Sequence, residues 1–205
     1  MTEIACLIIG IDGWEQYTKP LMDSIFRHEP AARVVVIDNA SCEPYPNLPE
    51  VHRTERLCYA AAINQAAQIA GPADWYIVLS NDVLCTGPFA WVLEQMPLNT
   101  IAGPHIARNQ GWTYLEGWCV ACPAGVWASL GGWDENFQVS SWEDVDFSVT
   151  ALERGFHVAH VPELPFIHLD QKQRFTLIPD YWSSEAHNLR YFLSKRQRVA
   201  TCEVA

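Results

Sequence analysis

Three short apolar runs set the frame of this chain: Ile4 to Gly10, Arg33 to Asp38 and Trp75 to Leu79. Each is strand-length, and helical spacing fills the segments between them. Thr18 to His28 carries Leu21, Ile25 and Phe26 at that spacing, after a turn at Asp12-Gly13. Cys58 to Ala70 is alanine-rich and is stopped by Gly71-Pro72. Strand, helix, strand, helix, strand with short connections predicts an α/β fold whose sheet is doubly wound, with helices on both faces. Ligands of such sheets bind beyond the carboxyl ends of the strands. Gly10 to Asp12, Asp38-Asn39 and Asn81-Asp82 all fall at such ends.

The second half is less regular. Val51-His52-Arg53 is a short extended piece before it, and Thr113 to Ala121 reads as one extended stretch. Pro123 to Leu130 reads as a short helix broken by Gly131-Gly132. Ser141 is expected to cap a helix through about Arg154, and Phe156 to Val161 and Leu164 to His168 to form short strands. Tyr181 to about Arg196 is a final amphipathic helix, with Trp182, Leu189, Phe192 and Leu193 as candidate apolar contacts.

With 205 residues, 49% hydrophobic and 18% charged, the chain is expected to be one folded domain with a full core. A net charge of −11 argues against a broad nucleic-acid surface, though not against one nucleotide whose phosphates a single metal neutralises. No apolar run approaches a membrane span, and Met1-Thr2-Glu3 lacks the basic start of a signal peptide, so a cytoplasmic protein is expected. The seven cysteines then read as reduced, buried thiols. Cys119-Val120-Ala121-Cys122 has redox or zinc spacing, but no second pair exists to complete a site.

The chemistry concentrates in Ser140-Ser141-Trp142-Glu143-Asp144-Val145-Asp146-Phe147, where three carboxylates open a helix. Acids at a strand end (Asp82) and at a helix start suit two tasks: holding a divalent cation, and taking a proton from a hydroxyl. Together they point to an enzyme acting on a phosphorylated donor. Each group also has a structural reading. Asn81-Asp82 can simply end a strand, because both residues favour turns. Acids in a first helical turn complement the helix dipole, and Ser141 with Asp144 resembles a capping box. Asp38 is either a turn residue or an acceptor for a nucleobase imide or ribose hydroxyl. His168, after an apolar run, is a structural histidine or a ligand. Arg56 lies just before a helix N-terminus, where phosphate binding is easy. Of nine tryptophans, Trp118, Trp133 and Trp142 flank the acidic region, and aromatic faces stack on the apolar faces of sugars.

In order along the chain, these motifs resemble glycosyltransferase family 2, the inverting enzymes of the GT-A fold, from Ile4 to about Arg196. Val36-Ile37-Asp38-Asn39-Ala40-Ser41 is similar to the family's second-strand motif, and Arg56 to Asn64 to its donor-phosphate segment. Leu79-Ser80-Asn81-Asp82-Val83 resembles the DXD region, with Ser80 in place of the first aspartate, as in rhamnosyltransferase-like members. Cys58 and Ala60 stand where small glycines are usual. Gly131-Gly132-Trp133-Asp134-Glu135-Asn136-Phe137 followed by Trp142 to Asp146 resembles the acceptor-side motif. The resemblance implies a GT-A-like, Rossmann-like mixed sheet within one domain, residues 1–205. About 1–100 would form the nucleotide-sugar half and about 101–205 the acceptor and catalytic half. It implies Asp144 as general base, and Asp82 and His168 as ligands of Mn2+ or Mg2+. Gly10, Asp12, Asp38, Arg56, Asn81 and Asp82 would serve the donor, and Trp118, Trp142 and Glu143 the acceptor. The partners implied are a nucleoside diphosphate sugar and a saccharide or other hydroxyl-bearing acceptor. Two other classes stay open: a nucleotidyltransferase sharing the strand-end site and metal, and a non-catalytic sugar- or nucleotide-binding protein.

Overall fold

The computed structural model describes residues 2–169 and 181–202. The three apolar runs form β1 (Ile4–Gly10), β2 (Arg33–Asn39) and β4 (Trp75–Ser80), paired in parallel with β1 in the middle. β3 (Val51–Thr54) joins β2 in parallel. The chain's second half contributes β6 (Thr100–Gly103), β9 (Cys119–Pro123) and β10 (His157–His160). The result is one seven-stranded sheet in the order β10-β6-β9-β4-β1-β2-β3. Only β9 runs against its neighbours, pairing antiparallel with β4 and β6. The sheet is therefore mixed, and both halves of the chain share it.

Side chains alternate across this sheet, as the pleat requires. Ile4, Cys6 and Ile8 pack with Leu21, Met22 and Ile25 of α1 (Lys19–His28). Ala5, Leu7 and Ile9 pack with α2 (Tyr59–Ala70) on the other face. Ala60, Ala62, Ala66, Ala67 and Ala70 of α2 are all buried, and their small side chains let its backbone lie close to the strands. The helix stops at Gly71, whose φ of 67° lets its amide bond back to the carbonyls of Ala67 and Gln68. α5 (Glu143–Glu153) covers the same face through Phe147 and Ala151. Cys119 and Cys122 belong to core clusters on opposite faces of the sheet, so they form no pair. Burial pushes both thiols well above the ordinary cysteine range, as inert core residues.

The stretch expected to be continuous from Thr113 to Ala121 is two strands. β8 (Trp112–Leu115) makes an antiparallel hairpin with β7 (Ile106–Asn109), and the chain bends at Glu116-Gly117-Trp118 before β9. A second small sheet pairs β5 (Val83–Cys85) antiparallel with β11 (Phe166–His168). The helices α3 (Ala90–Glu94) and α4 (Ala124–Leu130) fill the connections. The last helix, α6 (Tyr181–Cys202), packs on α5 through a third cluster of Phe137, Trp142, Val145, Val149 and Phe192, with Leu189 beside it. Trp182 and Leu193, expected on its apolar face, are 67% and 37% exposed. No helix among the described residues is long and apolar enough to cross a membrane.

Candidate active site

A cavity of about 310 Å³ opens where β1, β2 and β4 end, lined there by Ile9, Asn39 and Ser80. Arg56, Asn81, Asp82 and His168 form part of its wall, and Trp118, Glu143 and Asp144 another part.

The small β5–β11 sheet brings Asp82 and His168 together. Val83, next to Asp82, pairs with His168, and the amide of Leu169 donates to the Asp82 carbonyl at 2.8 Å. His168 Nε2 then lies 3.1 Å from Asp82 Oδ1. The Trp118 indole stacks on the imidazole, with centroids 5.1 Å apart and planes 5° from parallel. Trp118 is held in turn, its Nε1 donating to Glu116 Oε2 at 2.8 Å. Among the described residues His168 Nδ1 is buried without a partner, so the stacking and the Nε2 contact with Asp82 set the ring's orientation. The pair fits a divalent cation: a carboxylate oxygen and an imidazole nitrogen spaced like adjacent ligands at bond lengths of ~2.1 Å. No third His, Cys, Asp or Glu joins them among the described residues.

Across the bend between β8 and β9, the amide of Gly117 donates to Asp144 Oδ2 at 3.0 Å. A Cβ on Gly117 would lie 3.1 Å from the Asp144 side chain, so this close approach favours glycine. The amide of Val145 donates to Asp144 Oδ1 at 2.8 Å. Burial pushes the Asp144 carboxyl above the usual carboxylate range against these bonds, and the charge of Glu116 adds to the rise. Glu143 is raised too, first by burial and then by the neighbouring Asp144. Its Oε1 accepts from the Ser140 hydroxyl at 3.2 Å, while Oε2 is buried with no partner among the described residues. Tyr59 braces the floor, its hydroxyl 3.3 Å from Ser80 Oγ and donating to the Gly117 carbonyl at 3.2 Å.

The helix start differs from the expected capping box. Trp142 occupies the capping position in a left-handed conformation, and no side chain caps the helix. Ser140, not Ser141, reaches Glu143. Val139, Ser141 and Trp142 have φ of 53°, 95° and 72°, values that L side chains adopt at a cost. Two elements hold this loop. The amide of Tyr59, first residue of α2, donates to the Val139 carbonyl at 2.7 Å. Asn188 of α6, wholly buried, accepts from the Gln138 amide at 2.8 Å and donates to the carbonyls of Gln138, Ser140 and Ser141.

Several expected contacts fall outside the cavity lining. Asp38 is wholly buried, and its carboxylate accepts from the amides of Ser41 and Tyr45 and from Arg53. Asp12 is tied to the same loop, its amide donating to Ser41 Oγ and its Oδ1 accepting from the Cys42 amide. Gly10 makes room for Tyr45, whose hydroxyl would lie 2.5 Å from a Cβ there. These three residues brace the loop beside the strand ends. Trp142 lines the cavity, but its side chain is 3% exposed and packs on Phe192, so it offers no open face for a sugar. Trp118 is half-buried and keeps part of its surface open. Asp146 turns away from the cavity to pair with Lys195 at 2.7 Å and Arg196 at 3.0 Å. Asn188, Glu116 and Gly117 were not singled out by sequence reasoning. The glycine inside an apolar stretch was a usable signal for a bend.

No protein-family model matches the chain. A stretch of 102 residues, 48% of the chain, is 34% identical to the O-antigen biosynthesis protein RfbC of Myxococcus xanthus, of which it spans 8%. The fold is similar to solved glycosyltransferases at low identity. Mannosyltransferase PcManGT from Pyrobaculum calidifontis, in complex with GDP-Man and Mn2+, matches 96% of this chain and 64% of its own, with TM-score 0.71 and 15% identity. GalNAc-T7 with UDP, GalNAc and Mn2+ matches 83% of this chain and 44% of its own, with TM-score 0.69 and 15% identity. A Drosophila β1,4-galactosyltransferase 7 variant with manganese, UDP-Gal and xylobiose matches 86% and 74%, with TM-score 0.61 and 16% identity. The chain thus spans a small part of its curated relative and about half to three-quarters of these structures, and it has the GT-A fold.

Proposed function

We propose that the protein is a metal-dependent, inverting glycosyltransferase that moves a hexose-type sugar from a nucleoside diphosphate donor to an acceptor hydroxyl. The observation that carries this reading is the meeting of two groups in one cavity at the strand ends: the Asp82–His168 pair, and Asp144 buried against Gly117. In this reading Asp144 takes the acceptor hydroxyl's proton. Its raised basicity suits a general base that must still be ionised near neutral pH. The acceptor oxygen bonds to the anomeric carbon while the bond to the diphosphate oxygen breaks on the opposite face, so the centre inverts. Arg56 and Asn81 bind the donor, while Gly10, Asp12 and Asp38 support it by holding the loop behind. Asp82 and His168 hold Mn2+ or Mg2+, which when bound supplies positive charge against the leaving diphosphate.

Known proteins of this fold support the reading, since three of them are seen with a nucleotide or nucleotide sugar together with manganese. A buried base of raised basicity also favours transfer over mere binding, and over nucleotidyl transfer, which requires no base at that helix start. The test is a panel of nucleotide sugars with manganese or magnesium, scored by thermal shift, then by transfer, with the product's anomeric configuration read by NMR. Nucleoside diphosphate should stabilise the fold more with metal than without, by ~2.7 kcal/mol when ligand is a hundredfold above its dissociation constant. Chelator should abolish transfer. Full activity in excess chelator removes the metal role, and a retained anomeric centre removes inversion.

A further inference from the structure

We propose that the acceptor is an uncharged saccharide residue held by two neighbouring hydroxyl groups, one offered to Asp144 and the other to Glu143. This inference rests on the transferase reading above. Its starting point is Glu143 Oε2, an oxygen with no partner among the described residues, on a side chain that is 4% exposed and lines the cavity. A buried acceptor left unpaired carries its full desolvation penalty, so a hydroxyl donor arriving from the cavity is favoured there. Ser140 already holds the other oxygen of Glu143, which fixes where Oε2 points. Asp144 follows directly, and each of its oxygens accepts one amide and keeps a second lone pair free. Two consecutive carboxyl groups, one poised to take a proton and one lacking a donor, match two hydroxyls on adjacent ring carbons.

Charge then narrows the class. Glu116 and Glu185 line the same cavity, and Arg56 is the only Arg or Lys in that lining among the described residues. An acceptor carrying a carboxylate or phosphate would meet like charge in a partly desolvated space, while a neutral ring meets none. Trp118, held by Glu116 and covered on one face by His168, keeps part of its surface in the cavity lining, where such a ring can rest.

The experiment measures transfer to neutral hexopyranosides of gluco, galacto, manno and rhamno configuration, to their monodeoxy analogues, and to uronate and phosphate counterparts. The donor side is followed separately, as thermal stabilisation by nucleoside diphosphate with manganese. Transfer to a neutral member is expected, with kcat/KM at least ~10-fold lower for its anionic counterparts. Removing the hydroxyl next to the reacting one should cost a similar factor in wild type and little in Glu143→Leu, as for two halves of one contact. Glu143→Leu should keep the donor-side stabilisation, which shows that it has folded. With donor binding intact, three results overturn the inference: equal use of anionic acceptors, a deoxy penalty unchanged in Glu143→Leu, or no transfer to any neutral member. Loss of donor binding in wild type would instead remove the transferase reading itself.

Discussion

Two aspartates about half a turn apart in α5 illustrate how position decides role. Asp144 faces the cavity, whereas Asp146 is buried between Lys195 and Arg196. Asp144→Asn keeps the shape and one amide bond, so melting and donor binding should stay near normal while turnover falls by ~10²-fold or more. Asp146→Asn should do the reverse, losing ~1.5–3 kcal/mol of stability in a denaturant titration with turnover per folded molecule unchanged. The spacing of two residues made this division legible in the sequence, because it turns side chains to opposite sides of a helix. The pH dependence has a definite sign. Glu143 and Asp144 are raised by burial in the folded state, so folding takes up protons between the ordinary carboxylate range and the raised values. Their stabilising contribution is complete below the unfolded values, near ~4, and is lost as pH rises through the folded ones. The melting temperature of wild type should therefore fall from about pH 5 to about pH 8 by more than that of Glu143→Gln. Equal slopes would mean that Glu143 is an ordinary carboxylate. Glu116→Gln, whose amide oxygen can still accept from Trp118, should move the acid limb of the rate profile to lower pH.

At the scale of elements, α6 reaches the site with one face: Tyr181 and Glu185 line the cavity and Asn188 clamps the loop ahead of α5. Asn188→Ala removes that clamp from a backbone already in a costly conformation. The base should then sit less well placed, with kcat reduced by ~10-fold or more and donor affinity unchanged. Lost donor affinity with intact kcat would assign α6 to the donor side instead. α2 tests packing alone. Ala62 is wholly buried against the sheet, so Ala62→Leu should cost ~1–3 kcal/mol in a thermal or denaturant melt. The alanines announced that close approach in the sequence. The clamp had no such signal, because an asparagine within a helix looks like a solvent-facing residue until the loop it holds is seen. Left-handed Val139, Ser141 and Trp142 were equally hidden, since no glycine marks them.

For the whole molecule, the parallel core was legible because each of its strands is an apolar run of the right length between helical segments. The cavity lining was legible where an acid ends a strand or opens a helix: Asp82, Glu143 and Asp144. The lining was not legible where a long-range partner holds the acid, as Arg53 and the Ser41–Tyr45 loop hold Asp38. The bend at Glu116-Gly117 was missed because Leu115 before it and Trp118 after it carry on the apolar stretch, and it is this bend that sends β9 into the sheet. β9 lies between β4 and β6, two strands that precede it in the chain. During synthesis, then, β1 to β4 can assemble as the ribosome delivers them, but β6 has no place to dock until Cys119 to Pro123 emerge. In that interval the growing chain exposes the open edge of β4. A translational delay between these segments would lengthen the exposure, so the pace of synthesis there bears on how much chain escapes aggregation.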